Sequence, residues 1–113
     1  MHELSLVMNI IEIAHEQMQL HHAHKLERIE LEIGALAGVE MDAFLFAWEA
    51  AVADTDMDKT ERIIHNIPGK AKCLQCDIEY QMDQLFSPCP TCGEYLNQLI
   101  QGKELRIKSL VVN

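Results

Sequence analysis

Four cysteines constrain the fold of this 113-residue chain more than any other feature of its sequence. They form two Cys-x-x-Cys pairs, "CLQC" and "CPTC", which are separated by 12 residues. A Cys-x-x-Cys turn can direct two sulfur atoms to one side, and two such turns provide the four tetrahedral ligands that zinc prefers. The pattern therefore predicts a metal centre made of Cys73, Cys76, Cys89 and Cys92.

The segment that contains the cysteines, residues 70–97, has few large apolar side chains and cannot fold on a hydrophobic core alone. Metal binding would supply much of its folding free energy. Two disulfide bonds are typical of exported proteins, but the N-terminus lacks the basic residues and cleavage site of a signal peptide. A redox site needs only one pair, and a catalytic zinc ion keeps one coordination position open. The sequence thus favours a structural Zn²⁺ site.

Hydrophobic periodicity predicts two helices. Between residues 3 and 21, apolar side chains recur every three or four positions, and the predicted buried stripe consists of Leu4, Val7, Met8, Ile11, Ala14 and Met18. A second helix is expected near residues 39–53, with an apolar face made of Phe44, Ala47, Trp48 and Ala51. Glu40 and Asp42 lie in its first turn, where the helix dipole favours negative charge.

Alternating polar and apolar residues predict strands in "LERIELEIGAL", "TERIIHNI" and "KELRIKSLVVN". The cysteine-rich segment separates the last two strands. We therefore expect a discontinuous domain of residues 1–69 and 98–113, with residues 70–97 as an inserted zinc-binding domain. The predicted fold class is α+β: a small mixed or antiparallel sheet packed with two helices, plus a zinc-ribbon-like lobe with two Cys-x-x-Cys knuckles.

The formal net charge of −9 limits the choice of partners. Nucleic-acid binding depends on Lys and Arg side chains that displace counterions, so nucleic acid is excluded as an expected partner. No apolar run approaches the roughly 20 residues of a membrane-spanning helix. We expect a cytoplasmic protein that binds proteins and cations. Since neither a phosphate-binding loop nor a Ser-His-Asp pattern occurs, no enzymatic activity is expected.

The first three residues, "MHE", offer a second set of metal ligands. His2 is too large for efficient removal of Met1, so the Met1 amine should be retained. That amine, the amide nitrogen and the imidazole of His2 can close two chelate rings on one ion, and Glu3 can complete a four-coordinate plane. Planar, nitrogen-rich sites favour Ni²⁺ or Cu²⁺ over zinc. On chemistry alone, His2 as an incidental polar residue remains the alternative.

These features occur together in one known family. The start "MHELSL", the strand "LEIGALAGVE", the insert with "CPTCG" and the ending "GKELRIKSL" resemble the HypA/HybF family of nickel metallochaperones over nearly the whole chain. Such proteins serve the maturation of [NiFe]-hydrogenase and, in some organisms, urease. The chain differs from the family pattern at Asp77, where members often have a small residue or glycine.

The resemblance implies specific roles. His2 would bind Ni²⁺ as transient cargo with the help of the Met1 amine and Glu3, and the four cysteines would bind structural Zn²⁺. It also implies a HypB-like GTPase as partner and a hydrogenase large-subunit precursor as recipient.

The sequence leaves three points open. A zinc-ribbon adaptor that binds proteins without a nickel role is the alternative function. A cluster of His21, His22 and His24 could hold another metal, although a solvated helix end explains it better. The chain is a monomer or a dimer, because an insert on a hinge permits domain swapping.

Overall fold

The computed structural model describes residues 3–113, which form two helices and six strands. The elements are α1 (Glu3–Leu20), β1 (Leu26–Gly34), α2 (Met41–Val52), β2 (Glu61–Ile67), β3 (Gly69–Cys73), β4 (Glu79–Met82), β5 (Asn97–Gln101) and β6 (Leu105–Val112). The predicted α+β class is confirmed. None of the described helices is long and apolar enough to span a membrane.

The chain divides into two compact units. The helical unit consists of residues up to Leu31, Val39–His65 and Arg106–Asn113. The cysteine unit consists of Glu32–Gly38 and Asn66–Leu105.

In the helical unit, α1 packs against α2, and β1 is the central strand of a sheet with the order β2-β1-β6. The Thr60 hydroxyl, just before β2, donates to the Leu26 carbonyl at the start of β1, and His65 meets Glu30 farther along both strands. Because these contacts advance in the same direction, β2 runs parallel to β1. Helix α2 connects the two strands, as expected for a βαβ unit.

Strand β6 covers the other edge of β1 and runs antiparallel to it. Lys25 and Asn113 exchange backbone hydrogen bonds of 3.4 and 2.9 Å, while Ser109 reaches Glu30. These contacts advance in opposite directions along the two strands. The sheet is therefore mixed, as predicted.

The core of the helical unit is apolar and comes from both helices, β1 and the loop after α2. Its buried residues are Val7, Ile10, Ile11, Ala14, Met18, Leu26, Ile29, Leu31, Phe44, Ala47, Trp48, Val52 and Met57. The predicted stripe on α1 is wrong at two positions, since Leu4 is 56% exposed and Met8 is 50% exposed. At about 100° per residue, these side chains lie about 60° and 100° around the helix from Val7. They therefore flank the buried face, and Ile10 contributes to it instead.

The cysteine unit has its own antiparallel sheet in the order β4-β3-β5. Ala71 in the middle strand lies opposite Tyr80 on one side and Leu99 on the other. The buried core consists of Leu36, Ala71, Cys73, Tyr80, Met82 and Cys89. Two of these six residues are cysteines, so the metal-ligating side chains form part of the core itself.

Residues 32–38 belong to the cysteine unit through close backbone contacts. The Leu36 N–H donates to the Gly102 carbonyl at 2.7 Å, and the Gly34 N–H donates to the Glu104 carbonyl at 2.7 Å. A Cβ atom on Gly34 would collide with the Gly102 carbonyl, so this approach requires glycine. The domain boundaries at residues 69/70 and 97/98 stay a prediction.

Candidate metal centre

The four cysteine side chains converge in the cysteine unit. Their Sγ atoms all lie within 4.8 Å of one another, and within residues 3–113 no other group of three or more His, Cys, Asp or Glu side chains converges in this way. Cys73 and Cys89 are buried, Cys76 is half-buried and Cys92 is exposed. The group therefore has a buried inner side and one side near solvent.

The first knuckle begins at the last residue of β3. The Cys73 N–H donates to the Ile78 carbonyl at 2.8 Å, and the Asp77 N–H donates to the Cys73 carbonyl at 2.9 Å. The Cys76 N–H donates to Cys73 Sγ at 3.3 Å, which is the kind of contact that stabilises a thiolate. Asp77 adopts a left-handed φ of 66°, which turns the chain back after the second cysteine.

The second knuckle repeats the same pattern. The Cys89 N–H donates to the Glu94 carbonyl at 2.9 Å, and the Gly93 N–H donates to the Cys89 carbonyl at 2.8 Å. Gly93 has a left-handed φ of 76°, equivalent to that of Asp77. The two Cys-x-x-Cys sequences thus form two similar turns, each of which presents a pair of sulfur atoms.

The sulfur positions fit a tetrahedral zinc ion. Four Zn–S bonds of about 2.3 Å place the sulfur atoms about 3.8 Å apart. The Cys73 and Cys92 Sγ atoms are separated by 3.6 Å. Four thiolates leave no open coordination position, so the cluster suits a structural zinc ion rather than a catalytic one.

The four thiols also influence one another's ionisation. The pKa of Cys76 is raised to about 12, first by its side-chain hydrogen bond with Cys92 and then by burial. Burial also acts to raise the pKa of Cys89, but hydrogen bonds from the Cys92 and Thr91 N–H groups, together with the side chains of Cys73 and Cys92, lower that pKa to about 7. Four thiols this close resist joint ionisation, and a divalent metal ion reverses that preference.

Tyr80 and Asn97 support the second knuckle, a role that the sequence analysis missed. The Tyr80 hydroxyl donates to the Ser87 carbonyl at 3.1 Å and accepts from Asn97 Nδ2 at 2.9 Å. These bonds tie the loop before Cys89 to β4 and β5. Ser87 is 7 residues from Tyr80 in sequence, but Asn97 is 17 residues away. The pairing of Tyr80 with Asn97 is therefore apparent only in the folded sheet.

The predicted nickel ligands are the first three residues of the sequence. Met1 and His2 fall outside the described residues, so their predicted roles stay a prediction. Glu3 is the first residue of α1, and its Oε2 accepts a hydrogen bond from the Glu40 N–H at 3.2 Å. Glu40 in turn caps α2, since its carboxylate accepts from the Asp42 N–H. Glu3 therefore links the start of α1 to the start of α2.

The remaining histidines do not form a metal centre in the described part of the chain. The cluster of His21, His22 and His24 is absent from the converging ligand groups among residues 3–113. His65 instead contacts Glu30 of the neighbouring strand, with 2.9 Å between Nε2 and Oε1.

Comparison with known proteins identifies the family to which the chain belongs. Residues 1–112 match the family model described as "HypA: Hydrogenase/urease nickel incorporation, metallochaperone, hypA". The chain belongs to the HypA family. The predicted family resemblance is thereby confirmed, and the match places the chain among maturation factors that incorporate nickel.

Individual HypA proteins are similar over their full lengths. The hydrogenase maturation factor HypA of Parabacteroides distasonis is 44% identical over 112 residues, which covers 99% of this chain and 97% of the relative. The HypA of Alkalilimnicola ehrlichii is 40% identical over 113 residues and all of both chains. The solution structure of the Ni metallochaperone HypA from Helicobacter pylori superposes with a TM-score of 0.67 at 25% identity, covering 99% of this chain and 97% of that one.

Proposed function

We propose that this protein binds Ni²⁺ through Met1, His2 and Glu3 and delivers it during maturation of [NiFe]-hydrogenase. The observation that carries the proposal is the family match, which begins at residue 1 and so includes the "MHE" sequence. The His2 imidazole and amide nitrogen, together with the Met1 amine, provide adjacent donors for a planar nickel complex.

The position of Glu3 supports a metal site at this end of the chain. Its contact with the Glu40 N–H fixes the first described residue of α1 against the first turn of α2. The two residues that precede this anchored point in sequence are Met1 and His2. Ligands at a chain end can be exchanged one after another, which suits transfer to a better-organised acceptor.

The four cysteines are proposed to hold a structural zinc ion and to take no part in delivery. Their paired turns and closed ligand set support this role. A HypB-like GTPase and a hydrogenase large-subunit precursor are the proposed partners in transfer. Since nickel displaces protons from its nitrogen ligands, nickel affinity should fall as the pH is lowered.

The decisive experiment is a calorimetric nickel titration of the untagged, zinc-loaded chain beside His2→Ala. We expect the wild type to bind one equivalent of Ni²⁺ that the variant does not bind. A variant with a short extension before Met1 should also lose the site, because the amine is then an amide. The matched control replaces His21, His22 and His24 with alanine and should bind nickel as the wild type does.

The alternative outcomes are equally informative. Equal nickel binding by wild type and His2→Ala would overturn the proposed site. Loss of binding only in the triple histidine variant would move nickel to the end of α1. If neither protein binds nickel while zinc is retained, the zinc-ribbon adaptor becomes the better description.

A further inference from the structure

The net negative charge of this protein comes from the segments that carry its two helices. Residues 1–24 and 35–58 contain nine acidic side chains and no Lys or Arg. The rest of the chain contains nine acidic and nine basic side chains, so its formal charge is zero. The whole net charge of −9 therefore lies in the segments that carry α1 and α2.

A groove runs between these two helices in the helical unit. It has a volume of about 590 Å³, and α1 contributes most of its lining. Met8 and Ile11 provide apolar surface from α1, and Ala51 provides it from α2. Ala51 is a small lining residue, so a larger side chain at this position would occupy part of the groove.

The rim of the groove is acidic. Glu12 and Glu16 line it from α1, and both are exposed. Asp56 follows the lining residue Thr55 in sequence, and its Oδ1 lies 3.7 Å from Nε2 of His15, which also lines the groove. Carboxylates from α1 and from the segment after α2 thus lie close to the apolar floor.

Exposed apolar side chains extend this surface along α1. Met8 is 50% exposed, and Leu4, one helical turn earlier, is 56% exposed. Both lie beside the buried face of the helix, with about half of each side chain open to solvent. An exposed apolar strip beside a groove with a charged rim is typical of a protein-interaction surface.

We propose that this groove binds a basic amphipathic segment of a partner protein. Apolar side chains of the segment would occupy the floor beside Met8 and Ala51, and its Lys or Arg side chains would meet Glu12, Glu16 and Asp56. A second copy of this chain fits less well, because its helical segments carry the same nine negative charges. Binding requires neither nickel nor His2, so it can succeed or fail separately from nickel delivery.

The test uses the full-length, zinc-loaded chain and a fluorescent synthetic peptide of Leu and Lys arranged as an amphipathic helix. The same composition in scrambled order controls for charge alone. Glu12→Gln/Glu16→Gln should weaken the binding of the amphipathic peptide about tenfold. The control Glu27→Gln/Asp83→Asn removes two exposed charges outside the groove and should change the Kd less than about twofold.

Ala51→Leu tests the apolar floor without a change of charge. Filling the groove should weaken peptide binding about tenfold or more. Circular dichroism establishes that each variant is folded, and the paired glutamine variant tests the site even if Ala51→Leu does not fold. Backbone amide NMR shifts should change at residues 8–19 and 51–56.

Four results would overturn the proposal. Two concern peptide affinity: equal weakening of binding by both charge variants, and equal affinity for the amphipathic and scrambled peptides. Two concern the NMR shifts: changes spread over the whole acidic surface on peptide binding, and shifts of groove residues that depend on protein concentration in the absence of peptide. The last result would identify a second copy of the chain as the occupant.

Discussion

At the scale of single residues, the two knuckles differ at the position after their second cysteine. Gly93 and Asp77 both adopt left-handed φ values, of 76° and 66°. Glycine tolerates this conformation without strain, and aspartate is one of the few other residues that visit it. Asp77 also forms an ion pair of 3.0 Å with Lys72. This ion pair is exposed to solvent and contributes little to the free energy of unfolding. The departure from the family pattern at Asp77 therefore leaves the turn intact.

This comparison predicts the effect of Gly93→Ala. No heavy atom lies within 4 Å of an added Cβ, so the substitution should cost only the backbone strain of a left-handed alanine, about 1 kcal/mol. Urea denaturation of the cysteine unit with saturating zinc measures this loss. Asp77→Gly is the reciprocal variant, and its free energy of unfolding should change by less than about 0.5 kcal/mol, because relief of strain is offset by greater unfolded-chain entropy. Unchanged stability in Gly93→Ala would contradict the assigned backbone conformation.

At the scale of elements, one carboxylate joins three strands. Glu30 in β1 accepts from Ser109 of β6 at 2.5 Å, and it contacts His65 of β2 at 2.9 Å. The Ser109 hydrogen bond, and next the bond with His65, lower the pKa of Glu30 below its usual 4.5. Since the folded pKa lies below the unfolded one, the ionised carboxylate stabilises the sheet above about pH 4.5, and this contribution is lost as the pH falls through the folded pKa.

Ser109→Ala tests this linkage. Without the hydroxyl, the folded pKa of Glu30 should move back toward 4.5, so the variant should unfold at a lower urea concentration than the wild type at pH 7. The difference in stability between wild type and Ser109→Ala should shrink as the pH is lowered below 4.5, because protonated Glu30 is no longer stabilised as a carboxylate by the Ser109 hydroxyl. Ser87→Ala, which removes a hydroxyl bonded only to the Gln84 carbonyl in the described contacts, is a control without that pH dependence. A difference in urea stability between Ser109→Ala and wild type that stays constant with pH would contradict the role of Glu30.

The elements also show which parts of the fold are predictable from sequence. Periodicity predicted both helices to within two residues of their observed ends, because each has a continuous buried face. Strands β1, β2 and β6 were predicted because polar and apolar residues alternate along them, although no residue of β2 or β6 is fully buried. Strands β3, β4 and β5 were missed, since they are only four or five residues long and mix polar with apolar positions. Their register depends on pairing across the sheet and on the knuckles, which no local pattern records.

At the scale of the whole molecule, the predictable part of the site is the part whose geometry is local. Cys-x-x-Cys spacing places two sulfur atoms within one turn, so the four-cysteine group followed directly from the sequence. The link from Glu3 to Glu40 spans 37 residues and depends on how α1 and α2 pack, so sequence periodicity could not reveal it. The exposed positions of Leu4 and Met8 were missed because apolarity alone does not separate a buried face from a binding surface.

Zinc removal is the prediction that separates the two units. The buried cluster around the cysteines has only six residues, of which Cys73 and Cys89 are two, so the cysteine unit should lose its sheet when the metal is chelated under reducing conditions. The helical unit has an apolar core without cysteine and should remain folded. Hydrogen exchange should therefore rise throughout β3, β4 and β5 and stay slow in α1 and α2. The variant Cys92→Ser should reproduce this pattern without a chelator, because a serine hydroxyl is a poor zinc ligand. If β3, β4 and β5 kept their protection after chelation, the sheet would stand on its apolar contacts, and zinc would not be what holds this unit together.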